Sequence, residues 1–123
     1  MVNISIRYHP DVLFGYSSAY VELILRVENS TDHPVWTEAD VSVPESLSLS
    51  PNNVLRKGRV RVGIVNGKEF MEKAVRVYGT STTAPQMYRC NVTLYMFNRD
   101  GVIEKRMEKA SDLRCELKKE ASL

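Results

Sequence analysis

The stretch Tyr88–Phe97, with the sequence Tyr-Arg-Cys-Asn-Val-Thr-Leu-Tyr-Met-Phe, is the longest part of the chain that alternates with a period of two. Such alternation is typical of a β-strand with one buried face. A turn sequence follows at Asn98–Gly101, and Val102–Ile103 begin a second β-like segment. The face expected to be buried carries Tyr88, Cys90, Val92, Leu94 and Met96. The stretch therefore predicts a central hairpin of an all-β domain.

The composition is that of an ordinary globular domain. The 123 residues are 43% hydrophobic and 26% charged, and seventeen basic side chains against fifteen acidic ones give a net charge of +2. That balance argues against bulk binding to nucleic acid or to a membrane surface. No signal peptide or membrane-length apolar segment is visible, so we expect a cytoplasmic protein with two reduced cysteines. Residues 1–117 are predicted to form one domain, and 118–123 a flexible tail.

Short alternating segments, separated by turn residues, predict further strands before the hairpin. They cover residues 2–8, 19–29, 35–43, 60–64 and 70–78. A short apolar patch at 12–14 is interpreted as a strand switch or a turn over the core. Asn66–Gly67 is the strongest short hairpin signal, and it predicts that 70–78 pairs with 60–64. Within 60–64, Val60, Val62 and Ile64 are expected to share one face.

Seven or eight short strands of this kind indicate a β-sandwich of two antiparallel sheets. No convincing helix is found before residue 108. Residues 111–118 fit either a strand or a short capped helix. We favour a strand, because its odd positions continue the face occupied by Ile103 and Met107.

The register of the hairpin at 98–101 is open from the sequence. Matching the apolar faces places Ile103 opposite Met96 and Met107 opposite Val92. The turn residues favour Gly101 in a left-handed bulge, which shifts the register by one residue. We prefer the face-matched register, because a slip by one residue would exchange the two faces.

Three stretches together resemble the prokaryotic immunoglobulin-like domains of the cell-adhesion-related and alpha-galactosidase-associated type. They are Arg26–Val35, with an asparagine after the second strand, Val41–Pro51, with a proline-containing bend, and Gly67–Glu69 followed by Ala84–Tyr88. The resemblance extends from about Ala19 to Met107. It implies an immunoglobulin-like sandwich and, because some of these domains lie beside glycosidases, an accessory carbohydrate-binding role.

The immunoglobulin resemblance also implies structural roles for three residues. Tyr88, two residues before Cys90, resembles the tyrosine corner whose hydroxyl bonds back to the chain. Trp36, at the start of the third strand, lies where such folds often bury a tryptophan. The second strand carries Leu23 and Leu25 at its inward positions, so we predict no disulfide between the sheets and expect Cys90 to fill the core.

No catalytic, metal-binding or cofactor-binding motif is found. His9 and His33 each precede a proline in a predicted turn, and neither has ligand partners at a suitable spacing. Cys115 has no histidine near it in sequence, so it is not a convincing nucleophile. It is also predicted to lie well beyond the cross-strand neighbour of Cys90. These observations predict a protein that is not an enzyme and has no cofactor.

Two candidate contact surfaces remain. The basic segment carries Arg56, Lys57, Arg59 and Arg61, with Arg59 and Arg61 on one strand face, where they could contact phosphate or an acidic protein surface. We favour a simpler interpretation, in which these charges keep an edge strand soluble and unpaired.

The second candidate is an apolar patch of Ile24, Tyr95 and Phe97 on the face away from the core. An interaction site there and coverage by the C-terminal segment are equally compatible with the sequence. The favoured function is a protein-interaction or assembly module that uses a sheet face or an edge strand. Its partner is another protein or a second copy of the chain. Carbohydrate binding, and nucleic-acid binding through Arg56–Arg61, are the alternatives; no membrane partner is predicted.

Overall fold

The computed structural model describes residues 1–118, which form eight β-strands in two sheets and contain no helix. The strands are β1 (Val2–His9), β2 (Val12–Phe14), β3 (Tyr20–Asn29), β4 (Val35–Ser42), β5 (Lys57–Val65), β6 (Phe70–Tyr78), β7 (Met87–Phe97) and β8 (Ile103–Glu116). The prediction of an all-β sandwich is confirmed. Within the described residues, no helix of membrane-spanning length and hydrophobicity occurs.

The strand order is β1-β3-β6 in the smaller sheet and β2-β8-β7-β4-β5 in the larger one. Every neighbouring pair is antiparallel except β2 and β8, which are parallel. The order reproduces the B–E and C–F–G pairings of the immunoglobulin fold, and β7 and β8 form the F–G hairpin. The apolar patch at 12–14 is indeed a strand switch, since the chain leaves the smaller sheet after β1 and joins the larger one as β2.

The core lies between the sheets and is filled by the alternate residues of the central strands. Its fully or nearly buried members include Val21, Leu23, Leu25 and Val27 from β3 and Tyr88, Cys90, Val92, Leu94 and Met96 from β7. The alternation read from Tyr88–Phe97 is therefore correct at every inward position. The C-terminal segment is a strand as far as Glu116, with Leu113 and Cys115 buried. Of the predicted tail 118–123, only Lys118 is described; the rest lies outside the described residues.

Asn66–Gly67 does not form the predicted hairpin, because β5 and β6 belong to different sheets and β6 pairs with β3. The turn is a corner between the sheets. Lys68, with a φ of 63°, takes the left-handed conformation, and its backbone N–H donates to the Thr31 carbonyl at 3.1 Å. A Cβ on Gly67 would lie 2.7 Å from the Asp32 carbonyl carbon. The glycine is therefore needed for close approach between two loops.

The hairpin register also differs from the prediction. Met107 lies opposite Leu94 instead of Val92, a displacement of two residues that keeps Met107 on the predicted face. Gly101 has a φ of 77°, as its turn chemistry predicts. A bulge after the turn then places Ile103 opposite Phe97, so the predicted pairing of Ile103 with Met96 is wrong.

A second bulge reverses the predicted orientation of Ile64. Thr37 lies opposite Gly63 while Glu38 lies opposite Arg61, which leaves Val62 as the extra residue of β5. The alternation continues on the other side of the bulge with the faces exchanged. Val62 and Val65 are buried, and Ile64 points to solvent.

Candidate interaction surface

A row of four large apolar side chains crosses the outer face of the five-stranded sheet. We call it the apolar row: Ile64 on β5, Trp36 on β4, Phe97 on β7 and Ile103 on β8. Each is the direct cross-strand partner of the next. Ile64 is 59% exposed, Trp36 46% and Ile103 53%, while Phe97 is half-buried. The row is therefore an exposed apolar strip that spans four neighbouring strands.

The two ends of the row are turned outward by the two β-bulges. If the pairing of Glu38 with Arg61 continued without a shift, Ile64 would lie opposite Val35 and point into the sandwich. If the pairing of Met96 with Lys105 continued without a shift, Ile103 would likewise lie on the inward face of β8. Bulges of this kind change the direction of a side chain at a defined position and are common beside functional sites. Both bulges thus expose an isoleucine that regular pairing would turn inward.

Trp36 and Phe97 form the centre of the row. Their ring centroids are 6.1 Å apart and their planes are inclined by 51°, a tilted arrangement typical of stabilising aromatic pairs. A groove of about 440 Å³ lies against them, and its walls include His33, Pro34 and Glu104. The sequence prediction that Trp36 is a core residue is wrong. Thr37 occupies the inward position of β4, and Trp36 consequently faces out.

A charged row lies beside the apolar row on the same face. The guanidinium of Arg59 donates to the Asp40 carboxylate at 2.8 and 3.1 Å and to Glu38 at 3.2 Å. Arg61 lies 3.5 Å from Glu38. Hydrogen bonds from Arg59 hold the pKa of the Asp40 carboxyl below its usual value. Arg59 also lies over the ring of Tyr95, 5.1 Å from its centroid.

The predicted basic segment is thus divided into two parts. Arg59 and Arg61 are paired with the acids of β4, so their charge is partly neutralised. Lys57, at the start of β5 opposite Ser42, is exposed, as is Arg56 just before the strand. The four residues do not form one unpaired cationic cluster.

The predicted patch of Ile24, Tyr95 and Phe97 is not a single surface. Tyr95 and Phe97 lie on the outer face of the five-stranded sheet, whereas Ile24 lies on the outer face of the three-stranded sheet. The core separates the two faces. The residues that do extend the patch, Ile64 and Ile103, were missed. The signals for them in the sequence are Gly63, next to the β5 bulge, and Gly101, in the turn three residues before the β8 bulge; both glycines have a positive φ in the structure.

The two remaining sequence-predicted residues lie in the core. The Tyr88 hydroxyl donates to the Ala84 carbonyl at 2.6 Å, four residues upstream, and its ring is buried. Cys90 is fully buried, and burial raises the pKa of its thiol. Near it, the Tyr8 hydroxyl and Ser111 Oγ are 2.5 Å apart. Burial also raises the pKa of Cys115, which lies four residues along β8 from Ser111, the cross-strand partner of Cys90.

His9 and His33 are both exposed. Among residues 1–118, no three histidine, cysteine, aspartate or glutamate side chains are grouped so that they could hold a metal ion. On this face the structure provides an exposed apolar row with an aromatic centre and aliphatic ends, and an adjacent row of ion pairs.

No family model matches the sequence, and no curated protein matches it. Among solved structures, the chain is similar to a CARDB domain from Pyrococcus furiosus that was crystallised with di-metal ions. The identity is 20% and the TM-score 0.53, and 94% of this chain and 88% of that one are covered.

Two further solved structures are similar. A FixG-related protein from Vibrio parahaemolyticus is 12% identical with a TM-score of 0.54, covering 94% and 97% of the two chains. A family 123 glycoside hydrolase from Clostridium perfringens is 8% identical with a TM-score of 0.57, covering 95% of this chain but only 28% of the hydrolase. At these identities, the similarity establishes a shared β-sandwich fold.

Proposed function

We propose that this chain is a non-enzymatic protein-interaction module that binds a partner protein through the apolar row. The observation that carries the proposal is the exposure of Ile64, Trp36 and Ile103 in one line across the sheet. Contiguous exposed apolar surface of this kind is uncommon on monomeric proteins and marks interaction sites. Tryptophan is also among the residues that contribute most to binding at the centre of interfaces.

The expected affinity follows from the exposed area. Burying a whole large apolar side chain contributes about 1.5–3 kcal/mol. Because the side chains of the row are already about half covered, each contributes about 1 kcal/mol, and the row about 4 kcal/mol. Association itself costs at least about 4 kcal/mol. The row alone supports only weak binding, so a specific partner must also form polar contacts around it.

The alternatives receive less support from the geometry. A platform on which successive sugar rings stack requires coplanar aromatic faces, but the planes of Trp36 and Phe97 are inclined by 51° and both ends of the row are aliphatic. Nucleic-acid binding depends on a concentration of positive charge, but Glu38 and Asp40 partly neutralise Arg59 and Arg61, and the four basic residues do not form one cluster. A second copy of the chain is a partner that the experiment below can detect.

The test is affinity purification from the native cell with three forms of the full chain. These are the wild type, a face variant carrying Trp36→Ser and Ile64→Thr, and a control variant carrying Tyr20→Ser and Phe70→Ser. The control removes comparable exposed apolar surface from the outer face of the three-stranded sheet. Circular dichroism checks that all three fold.

We expect a protein partner, or self-association in light scattering, that the wild type and the control variant share and the face variant loses. Recovery of no partner by a monomeric wild-type chain would refute the proposal. Equal recovery with the face variant, or loss only with the control variant, would refute it as well.

A further inference from the structure

The β5 strand forms an open edge of the five-stranded sheet, beside the apolar row. It is the last strand in the sheet order and pairs only with β4. Among residues 1–118, no strand hydrogen-bonds to its other side, so backbone N–H and C=O groups on that side are available for strand addition. Ile64, the end residue of the apolar row, belongs to this edge strand. A partner that adds a strand here can therefore contact both the edge and the row.

The outward side chains of β5 define what such a strand must carry. They are Lys57, Arg59, Arg61 and, beyond the bulge, Ile64. On its paired side, β5 already has one neighbour, β4, whose residues match these outward side chains. In β4, the residues opposite are Ser42, Asp40, Glu38 and Trp36. The structure thus contains an example of the pattern that β5 accepts: a large apolar residue followed by acidic residues at alternate positions.

The arginines retain capacity for a second set of acidic partners. The side chains of Asp40 and Glu38 are only 11% and 16% exposed, whereas Arg61 is 80% exposed and Arg59 52%. The arginines are therefore the more accessible members of these ion pairs. Each guanidinium has five N–H donors, more than the bonds to β4 use. The edge presents positive charge to an incoming strand.

We infer that the β5 edge binds an extended acidic segment of the partner protein by β-strand addition. Acidic side chains at alternate positions of that segment lie beside Arg59 and Arg61, and a large apolar side chain lies beside Ile64. This inference rests on the proposed function and supplies the polar contacts that the apolar row alone lacks. Main-chain hydrogen bonds provide affinity and the alternate side chains provide specificity.

The same charges disfavour β5 of a second copy as the occupant. Antiparallel pairing of two β5 strands about a two-fold axis at Arg59 places Arg59 opposite its copy and Lys57 opposite Arg61 of the other chain, on one face. Like charges directly opposite in a sheet are destabilising. The edge is therefore built against self-pairing and favours an oppositely charged strand.

The probe for the test is a capped octapeptide with the sequence of β4, Val-Trp-Thr-Glu-Ala-Asp-Val-Ser. A charge-reversed peptide, with lysine in place of both acids, is its counterpart. Amide chemical shifts of the full chain, followed by NMR during titration, report both affinity and location. The protein variants are Arg61→Glu and, as a matched control on β8 of the same sheet, Lys109→Glu.

We expect the acidic peptide to shift amides of β5 and to bind Arg61→Glu about tenfold more weakly, while Lys109→Glu binds within about twofold of the wild type. The charge-reversed peptide should prefer Arg61→Glu to the wild type. Equal binding of both peptides, shifts confined to other strands, or no binding would overturn the inference. Binding of a single-stranded oligothymidylate at β5 without binding of the acidic peptide would also overturn it, in favour of a nucleic-acid site.

The natural partner separates this inference from the proposed function. If the face variant loses the partner and Arg61→Glu retains it, the strand-addition inference fails and the proposed function stands. If both variants retain the partner, both fail. Amide spectra of Arg61→Glu that match the wild type away from β5 establish that the variant is folded.

Discussion

Replacing Asn29 by alanine is expected to lower the free energy of unfolding by about 3.5 kcal/mol. The Asn29 side chain is buried and makes four hydrogen bonds. Its Nδ2 donates to the carbonyls of His33 at 2.8 Å and Val65 at 3.0 Å, and its Oδ1 accepts from Thr31 N at 3.0 Å and Thr31 Oγ1 at 2.6 Å. One side chain thus joins the end of β3, the loop before β4 and the end of β5, which belong to different sheets.

The size of this loss depends on which of the four hydrogen bonds of Asn29 water can replace in the variant. Val65 is fully buried, so water cannot readily replace the bond that its carbonyl loses, at a cost of about 2 kcal/mol. The groups on exposed His33 and half-buried Thr31 can bond to water, and each lost bond there costs about 0.5 kcal/mol. With three such bonds, the sum is about 3.5 kcal/mol. It would be a substantial part of the stability of a domain of this size.

Asn29→Asp tests the donor role separately. A carboxylate cannot donate to the two carbonyls, and burial disfavours its charged form, so its folded-state pKa is expected to rise above the unfolded value of about 3.9. A raised carboxyl pKa adds stability below the unfolded pKa, and this stability is lost as the pH rises through the folded-state value. The variant should therefore be nearest to wild type at low pH and become progressively less stable towards neutrality.

The assay is urea unfolding followed by far-UV circular dichroism, with Asn52→Ala in an exposed loop as the control. The control should stay within about 0.5 kcal/mol of the wild type. A loss below about 1 kcal/mol for Asn29→Ala, or an Asn29→Asp variant that gains stability relative to wild type as the pH rises, would refute the reasoning.

Four further predictions concern other parts of the sandwich. The buried hydroxyl of Thr83 donates to the Ser46 carbonyl at 2.6 Å and accepts from Thr80 N at 2.7 Å. The isosteric variant Thr83→Val should therefore lower the free energy of unfolding in urea by about 2 kcal/mol, and the exposed control Thr82→Val by much less. In Gly67→Ala the added Cβ would lie 2.7 Å from the Asp32 backbone, so this variant should be less stable than Gly101→Ala, which loses about 1 kcal/mol because of its positive φ. Gly101→Asn should recover part of that loss, and the reverse order of Gly67→Ala and Gly101→Ala in thermal unfolding would contradict the structure. Because Arg59 lowers the folded-state pKa of Asp40, the ionised carboxylate adds stability above its unfolded pKa of about 4, and this stability is lost as the pH falls through the folded-state pKa. Asp40→Asn should therefore lose less stability than the wild type when the pH is lowered. Burial raises the pKa of Cys90 and Cys115, so iodoacetamide should modify both slowly in the folded chain at neutral pH and rapidly in urea; fast modification of the folded protein would contradict their burial.

Local patterns were sufficient for the strands that have one face in the core. β3 and β7 keep strict alternation along their length, because their inward side chains meet the opposite sheet at every second residue. The strand at residues 111–116 was predictable for the same reason. The all-β class and the sandwich follow from such segments alone.

The partners and registers of the strands could be predicted less well from the sequence. Asn66–Gly67 has the residues of a tight hairpin, yet it forms a corner between sheets, because β6 gains its hydrogen bonds from β3. Face matching predicted the correct face for Met107 but placed it opposite Val92 instead of Leu94, because a shift by two residues leaves the faces unchanged. Local sequence does not distinguish such registers.

The candidate site shows the same division most clearly. The sequence by itself determined the strands at 19–29 and 88–97 and the outward orientation of Tyr95 and Phe97. Only the tertiary structure decided that Ile24 lies on the opposite face and that Trp36, Ile64 and Ile103 complete the row. A bulge is defined by two residues opposite one on the partner strand. Its effect on side-chain direction therefore depends on which strand is the neighbour, and that is settled only when the two sheets pack.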